Sequence, residues 1–264
     1  MNNGIRIGVL LSGGGSNLQA IMAACGRGQI DGQVVFVGSD KPGAYGLARA
    51  EKKGIPTFVT DYRNVVGSLE PDSLKTHVPA DFDVEHVLAS QQITSKTWDE
   101  EKRIAYLSKR AIFEAALLQD MAEYDFDLLV LAGFMRVLSP YFIDRINTVA
   151  DQPRIMNIHP ALLPAFPGVD GYGDTYRYGC KVGGCTVHFV DYGEDTGPII
   201  GQRAFDILPQ DTLESVREKG LHLEWQLYCD CIALFAQNRI KIAYRECRLK
   251  NGRVYNRKVV EIAA

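Results

Sequence analysis

The sequence has no run of about 18 or more apolar residues, so it offers no candidate for a membrane-spanning helix. It has no surplus of positive charge: 29 Lys and Arg stand against 32 Asp and Glu, a formal net charge of -3. That excludes the broad basic face with which proteins bind nucleic acid, though not a small cationic pocket for one phosphate. The cysteines (Cys25, Cys180, Cys185, Cys229, Cys231 and Cys247) include no C-x-x-C pairs at zinc spacing, and no H-E-x-x-H occurs. No metal is therefore expected, and the thiols are expected to be reduced and mostly buried. No basic leader precedes the apolar run at Ile5, so no signal peptide and a cytoplasmic location are expected. There is no internal repeat and no low-complexity segment.

What is present suits a large α/β protein. The chain has 264 residues, 46% hydrophobic and 23% charged, enough for a full core. Residues 1–264 read as a single domain. Apolar runs at Ile5–Leu11, Val34–Val37, Ile55–Thr60, Asp127–Leu131 and Arg154–Ile158 read as strands. Between them lie helical patterns: one capped by Ser16 or Asn17 and carrying Leu18, Ile21, Met22 and Cys25, then Ala44–Lys53 and Glu100–Tyr124, with a short Pro140–Ile146 after Leu131. Strands alternating with helices imply right-handed crossovers and a mostly parallel sheet. Cys185–Val190 and Pro198–Phe205 read as an antiparallel pair, and Asp211–Gln237 as a helix capped by Asp211 with Glu214 three residues on. Two stretches stand apart. Asp61 to about Glu101 is polar and irregular, with Pro71, Pro79, His77 and His86, and reads as an insertion (61–101) that Trp98, Val84 and Val87 could dock. Residues 240–264 read as a short extension forming a hairpin around Asn251-Gly252.

Three constellations could carry chemistry. Ser12-Gly13-Gly14-Gly15-Ser16-Asn17 joins a strand to a helix, where glycines admit a ligand close to the backbone and the helix N-terminus favours an anion. It is not G-x-x-x-x-G-K-[ST], and Leu18 stands where G-x-G-x-x-G needs glycine, so binding of a phosphate monoester survives beside a plain tight turn. Asn157 and His159 lie two apart at a strand end, so both side chains point to one face and can donate to one oxyanion. The loop Asp191–Gly197 offers Asp191, Glu194 and Asp195, among which spacing does not choose. His188, inside Thr186–Val190, reads as strand packing, and the Phe134-Met135 loop follows a strand, where ligands bind.

These segments together (Leu10–Gln19, Leu131–Arg136, Asn157–Pro164 and Thr186–Ile200) resemble the folate-dependent formyltransferases, in their glycinamide ribonucleotide branch, over most of Gly4–Ile242. The resemblance implies a Rossmann-like twisted α/β sheet, mostly parallel, with helices on both faces and an antiparallel C-terminal edge. It implies transfer of a formyl group from 10-formyltetrahydrofolate to the amine of glycinamide ribonucleotide in purine synthesis. Asn157, His159 and Asp195 would be catalytic. Gly14, Gly15, Ser16, Asn17, Pro160 and Glu224 would bind the ribonucleotide. Met135, Arg136, Val137, Leu138, Tyr192, Gly193, Glu194 and Arg110 would line the folate site. Asp195 would keep His159 charged. The partners would be small molecules, with no nucleic acid and no membrane, and the chain a monomer or homodimer. Asp170 stands where that family usually has histidine. The rival readings are a formyltetrahydrofolate deformylase, which would release formate without the ribonucleotide, and a catalytically weak folate- or nucleotide-binding relative.

Overall fold

The computed structural model describes residues 4–67, 69 and 73–263. The expected alternation is present. β1 (Ile5–Leu11) leads through α1 (Ser16–Gly26) to β2 (Gly32–Ser39), and α2 (Tyr45–Glu51) leads to β3 (Thr57–Val59). The long α6 (Glu100–Met121) then feeds β4 (Leu128–Leu131), and α7 (Pro140–Ile146) feeds β5 (Ile155–His159). The sheet closes with β6 (Val182–Phe189) and β7 (Ile199–Asp206), after which α9 (Leu213–Ala236) lies back on it. The strand order is β3-β2-β1-β4-β5-β6-β7, parallel as far as β5 and antiparallel beyond. This is a mostly parallel α/β sheet with an antiparallel edge, as the sequence implied.

Two layers of apolar side chains fix the helices, and β4 shows how. Its Leu128 and Val130 face one core with Leu18, Ile21 and Leu47 of α1 and α2 and Leu227 and Ile232 of α9. Leu129 and Leu131 face the other, with Phe113 and Leu117 of α6 and Phe142 of α7. The chain thus leaves β1 on one face and returns to β4 on the other. Such a reversal opens a crevice beyond the carboxyl ends of the central strands.

Several boundaries depart from expectation. Among its described residues, the segment read as irregular holds three short helices, α3 (Tyr62–Val66), α4 (Leu74–His77) and α5 (Val84–Ser90), while Pro71 lies outside the described residues. They were hidden because helices this short show no apolar period. Asp61 and Asp83 cap two of them, accepting from the backbone N–H groups of Arg63 and His86. Val87 is buried against Leu107 and Ala111 of α6, and Trp98 meets Tyr106 edge-on, so both dock as expected; Val84 is only partly buried. A further short helix, α8 (Gly171–Arg177), follows β5, with Gly171 and Gly173 in its first turn. Gly15, at φ 71°, caps α1 in place of Ser16 or Asn17. Thr212 caps α9 with a reciprocal bond to Ser215, so Asp211 is not the cap; it accepts instead from Lys219 and Ser215. Residues 240–262 form the expected hairpin, β8 (Ile240–Arg248) and β9 (Val254–Ile262), with Gly252 at φ 82° in its turn.

Candidate active site

β5 ends at the crevice, and its period of two puts Asn157 and His159 on the face that carries α6 and α7. The antiparallel partner β6 sets His188 opposite Asn157. The loop after β6 folds back over this face and delivers Asp195, whose Oδ2 lies 3.1 Å from His159 Nδ1 and whose Oδ1 lies 3.5 Å from His188 Nε2. Asn157 Nδ2 lies 3.2 Å from His188 Nε2. Asp195 also accepts from the Gly168 N–H at 2.9 Å, and its backbone sits at φ 55°, a left-handed conformation that the surrounding bonds hold. Of the three loop acids, Asp191 serves the turn itself, accepting from the Gly193 N–H and the Thr196 hydroxyl.

The electrostatics follow from these contacts. Burial pushes the Asp195 carboxyl up, but the His188 hydrogen bond, the His159 ring and the Gly168 N–H together outweigh it, and Asp195 ends below the ordinary carboxylate range. His159 faces an acceptor on each ring nitrogen, Asp195 on Nδ1 and the Phe166 carbonyl on Nε2 at 2.7 Å. Only the doubly protonated ring satisfies both. Burial is the larger influence, however, and holds His159 below its usual value despite Asp195 and Phe166. Asp195 and the Phe166 carbonyl thus favour the charged ring, and desolvation at 3% exposure opposes it.

A cavity of about 170 Å³ opens on these groups. Met135, Arg136, Val137 and Leu138 form one wall, Gly193 and Glu194 another, and Asn157, His159, Pro160 and Asp195 the floor. The wall is braced from behind. Ser12 Oγ accepts from the Met135 N–H at 2.9 Å, Arg136 binds the buried Asp40 at 2.7 Å, and Arg110 donates to the Val137 carbonyl at 2.6 Å. Its apolar side chains and backbone groups suit a flat heteroaromatic ring.

On the opposite face the Gly-rich turn enters α1. A Cβ on Gly15 would meet Gly46 Cα at 2.7 Å, so two glycine backbones touch where α1 and α2 meet. Gly13 and Gly14 are exposed, and the free N–H groups of the first α1 turn follow them. Asn17 Nδ2 donates to Glu224 Oε2 of α9 at 2.8 Å, which ties the turn to a residue 207 positions away. The model for formyl transferases matches residues 5–232.

The chain belongs to the formyl transferase family.

It is 33% identical over 223 residues to the phosphoribosylglycinamide formyltransferase of Bacillus subtilis (strain 168), covering 84% of this chain and 90% of that protein. It is 33% identical over 239 residues to the trifunctional purine biosynthetic protein adenosine-3 of Chironomus tentans, of which it spans only 14%. The crystal structure of glycinamide ribonucleotide transformylase 1 from Symbiobacterium toebii superposes with a TM-score of 0.69 at 34% identity, covering 100% of this chain and 96% of that one.

Not every residue read from the sequence meets the formyl transferase cavity. Tyr192 turns away from it: its hydroxyl donates to Asp144 at 2.5 Å and its carbonyl accepts from the Gln92 N–H. Arg110 stands behind the wall, also bonded to Tyr106. Asn17 and Glu224 of α9 meet on the other face. Asp170, at the family's histidine position, binds Arg177 at 2.9 Å and Arg217 at 3.0 Å, in a partly exposed cluster outside the cavity. Sequence reasoning missed His188, assigning it to packing. The signal that finds it is register, since an antiparallel partner sets it across from Asn157.

Proposed function

We propose that this protein transfers the formyl group of 10-formyltetrahydrofolate to the amine of glycinamide ribonucleotide, a step of purine synthesis, in the cytoplasm and as one domain with an insertion at 61–101. The observation that carries the reading is His159, held between Asp195 and the Phe166 carbonyl beside Asn157, at the floor of a cavity walled by residues 135–138. Family membership and relatives with this activity support it.

In this reading the folate ring lies against Met135–Leu138, and the ribonucleotide phosphate takes the N–H groups at Gly15, Ser16 and Asn17. The amine nitrogen attacks the formyl carbon, and the carbonyl oxygen gains charge. Asn157 donates to it through its amide, and the positive charge of protonated His159 beside it offsets the new charge; losing one such electrostatic partner typically costs about 10²–10³ in rate. Asp195 steadies the charged ring and takes the proton that the amine sheds. That proton passes to N10 of the folate as the old carbon–nitrogen bond breaks, so atoms and charge balance. The test is deformylation of 10-formyltetrahydrofolate with and without glycinamide ribonucleotide. Turnover that requires the ribonucleotide is expected; equal turnover without it would make the protein a hydrolase.

A further inference from the structure

Tyr172 has no part in the mechanism above, yet it is buried where the ribonucleotide subsite is built. Only 5% of it is exposed. Its ring fills a slot beside α9 that exists because residue 220 is glycine: a Cβ there would meet the ring at 2.1 Å. From that slot its hydroxyl donates to Glu224 Oε1 at 2.8 Å, while Asn17 Nδ2 donates to Oε2 at 2.8 Å. Each carboxylate oxygen keeps a free lone pair. The carboxylate also fixes the Asn17 amide, because only its NH₂ can face an anion. Asn17 Oδ1 is thereby left buried with no partner among the described residues. The titratable groups facing Glu224 are Tyr172, Cys185 of β6 and Tyr228 of α9, and none of them carries positive charge. A buried carboxylate held only by neutral donors is costly to keep. What it offers in return, in direct contact with Asn17 of the Gly-rich turn, is an acceptor lone pair on each oxygen beyond the two donors that hold it.

We propose that Tyr172 is a positioning residue for substrate recognition: it clamps Glu224 against Asn17, and so fixes the acceptors that read the hydroxyls of the substrate's sugar. The inference rests on the ribonucleotide reading given above. It sets Tyr172 apart from a plain interhelical tie, because the effect falls on ribonucleotide affinity and not on formyl transfer.

Tyr172→Phe keeps the ring in its slot and removes one oxygen. KM for glycinamide ribonucleotide should rise about tenfold, the scale of one hydrogen bond to a charged group, with kcat and the folate KM within about twofold. Because the hydroxyl favours the ionised carboxylate, the rise of KM toward acid should begin at higher pH in the variant than in the parent. Glu224→Gln supplies the second arm: it should raise the same KM, and Tyr172→Phe should add almost nothing in that background. An unchanged ribonucleotide KM in Tyr172→Phe, or fully additive effects in the double variant, overturns the inference and leaves the function standing. A parent protein whose turnover ignores the ribonucleotide overturns both.

Discussion

Asp195, partly buried, and Glu224, buried, are both carboxylates of the candidate site, yet they titrate in opposite directions. Asp195, on the α6/α7 face, meets His188, His159 and a backbone N–H, and falls below the ordinary range. Glu224, on the α1/α9 face, meets only the amide of Asn17 and the phenol of Tyr172; burial outweighs these two donors and raises it. Desolvation is the largest influence on each. What differs is the balance against it: Asp195 has two imidazoles and a backbone N–H, Glu224 two neutral donors at a more deeply buried place. In the proposed reading, the group that handles protons thus has partners that carry protons, whereas the group that binds has partners that only orient it.

The largest expected effect tests that division directly. Asp195→Asn removes the charge that favours protonated His159, and turnover should fall about 10³-fold with ribonucleotide affinity nearly intact, the scale seen when one preorganised electrostatic partner is lost. Steady-state kinetics with both substrates checks it; near-normal turnover would take Asp195 out of the mechanism and leave its contrast with Glu224 without functional meaning.

Glu114 extends the contrast to the core. It is fully buried on α6, and burial pushes it up to about 7 against the opposing bonds from the Ser139 hydroxyl and N–H and the nearby Arg110 and Arg145. A carboxyl raised on folding binds its proton more tightly when native. Its stabilisation is therefore present at acid pH and is lost as pH rises from about 4.5, its unfolded value, through about 7. Glu114→Gln should flatten the stability–pH profile between those limits, removing a change on the order of 3 kcal/mol. Denaturant unfolding at a series of pH values measures this. An unaltered profile would mean that Glu114 titrates normally and that burial does not outweigh its hydrogen-bond donors and nearby arginines.

Thr212→Ala provides the smallest effect and the baseline. It deletes the reciprocal cap of α9 at an exposed helix end, and should lower stability by about 1 kcal/mol. Both KM values should be unchanged. If they move, loosening α9 alone disturbs Glu224, and the ribonucleotide effects expected at Tyr172 would need to exceed that background.

Much of the site was legible. Asn157 and His159 announce themselves by a spacing of two at a strand end, and the Gly-rich turn by its place between strand and helix. His188 was visible as a residue but not as a neighbour, since it meets Asn157 across 31 positions through register alone. The short helices of residues 62–90 were illegible because one or two turns carry no period, and their Asp caps look like ordinary surface acids.

The sequence by itself determined the order of strands and helices, the two apolar faces of the central strands and the glycine turn, because these depend on period and local sterics. Tertiary structure alone decided that Asp195 meets His159, that Asn17 reaches Glu224 across 207 positions and Tyr172 across a further link of 52, and which way each buried carboxyl titrates. The physical reason is that a hydrogen bond or a desolvated charge depends on distance in space, and no local pattern in the chain encodes which distant group will arrive within 3 Å or so.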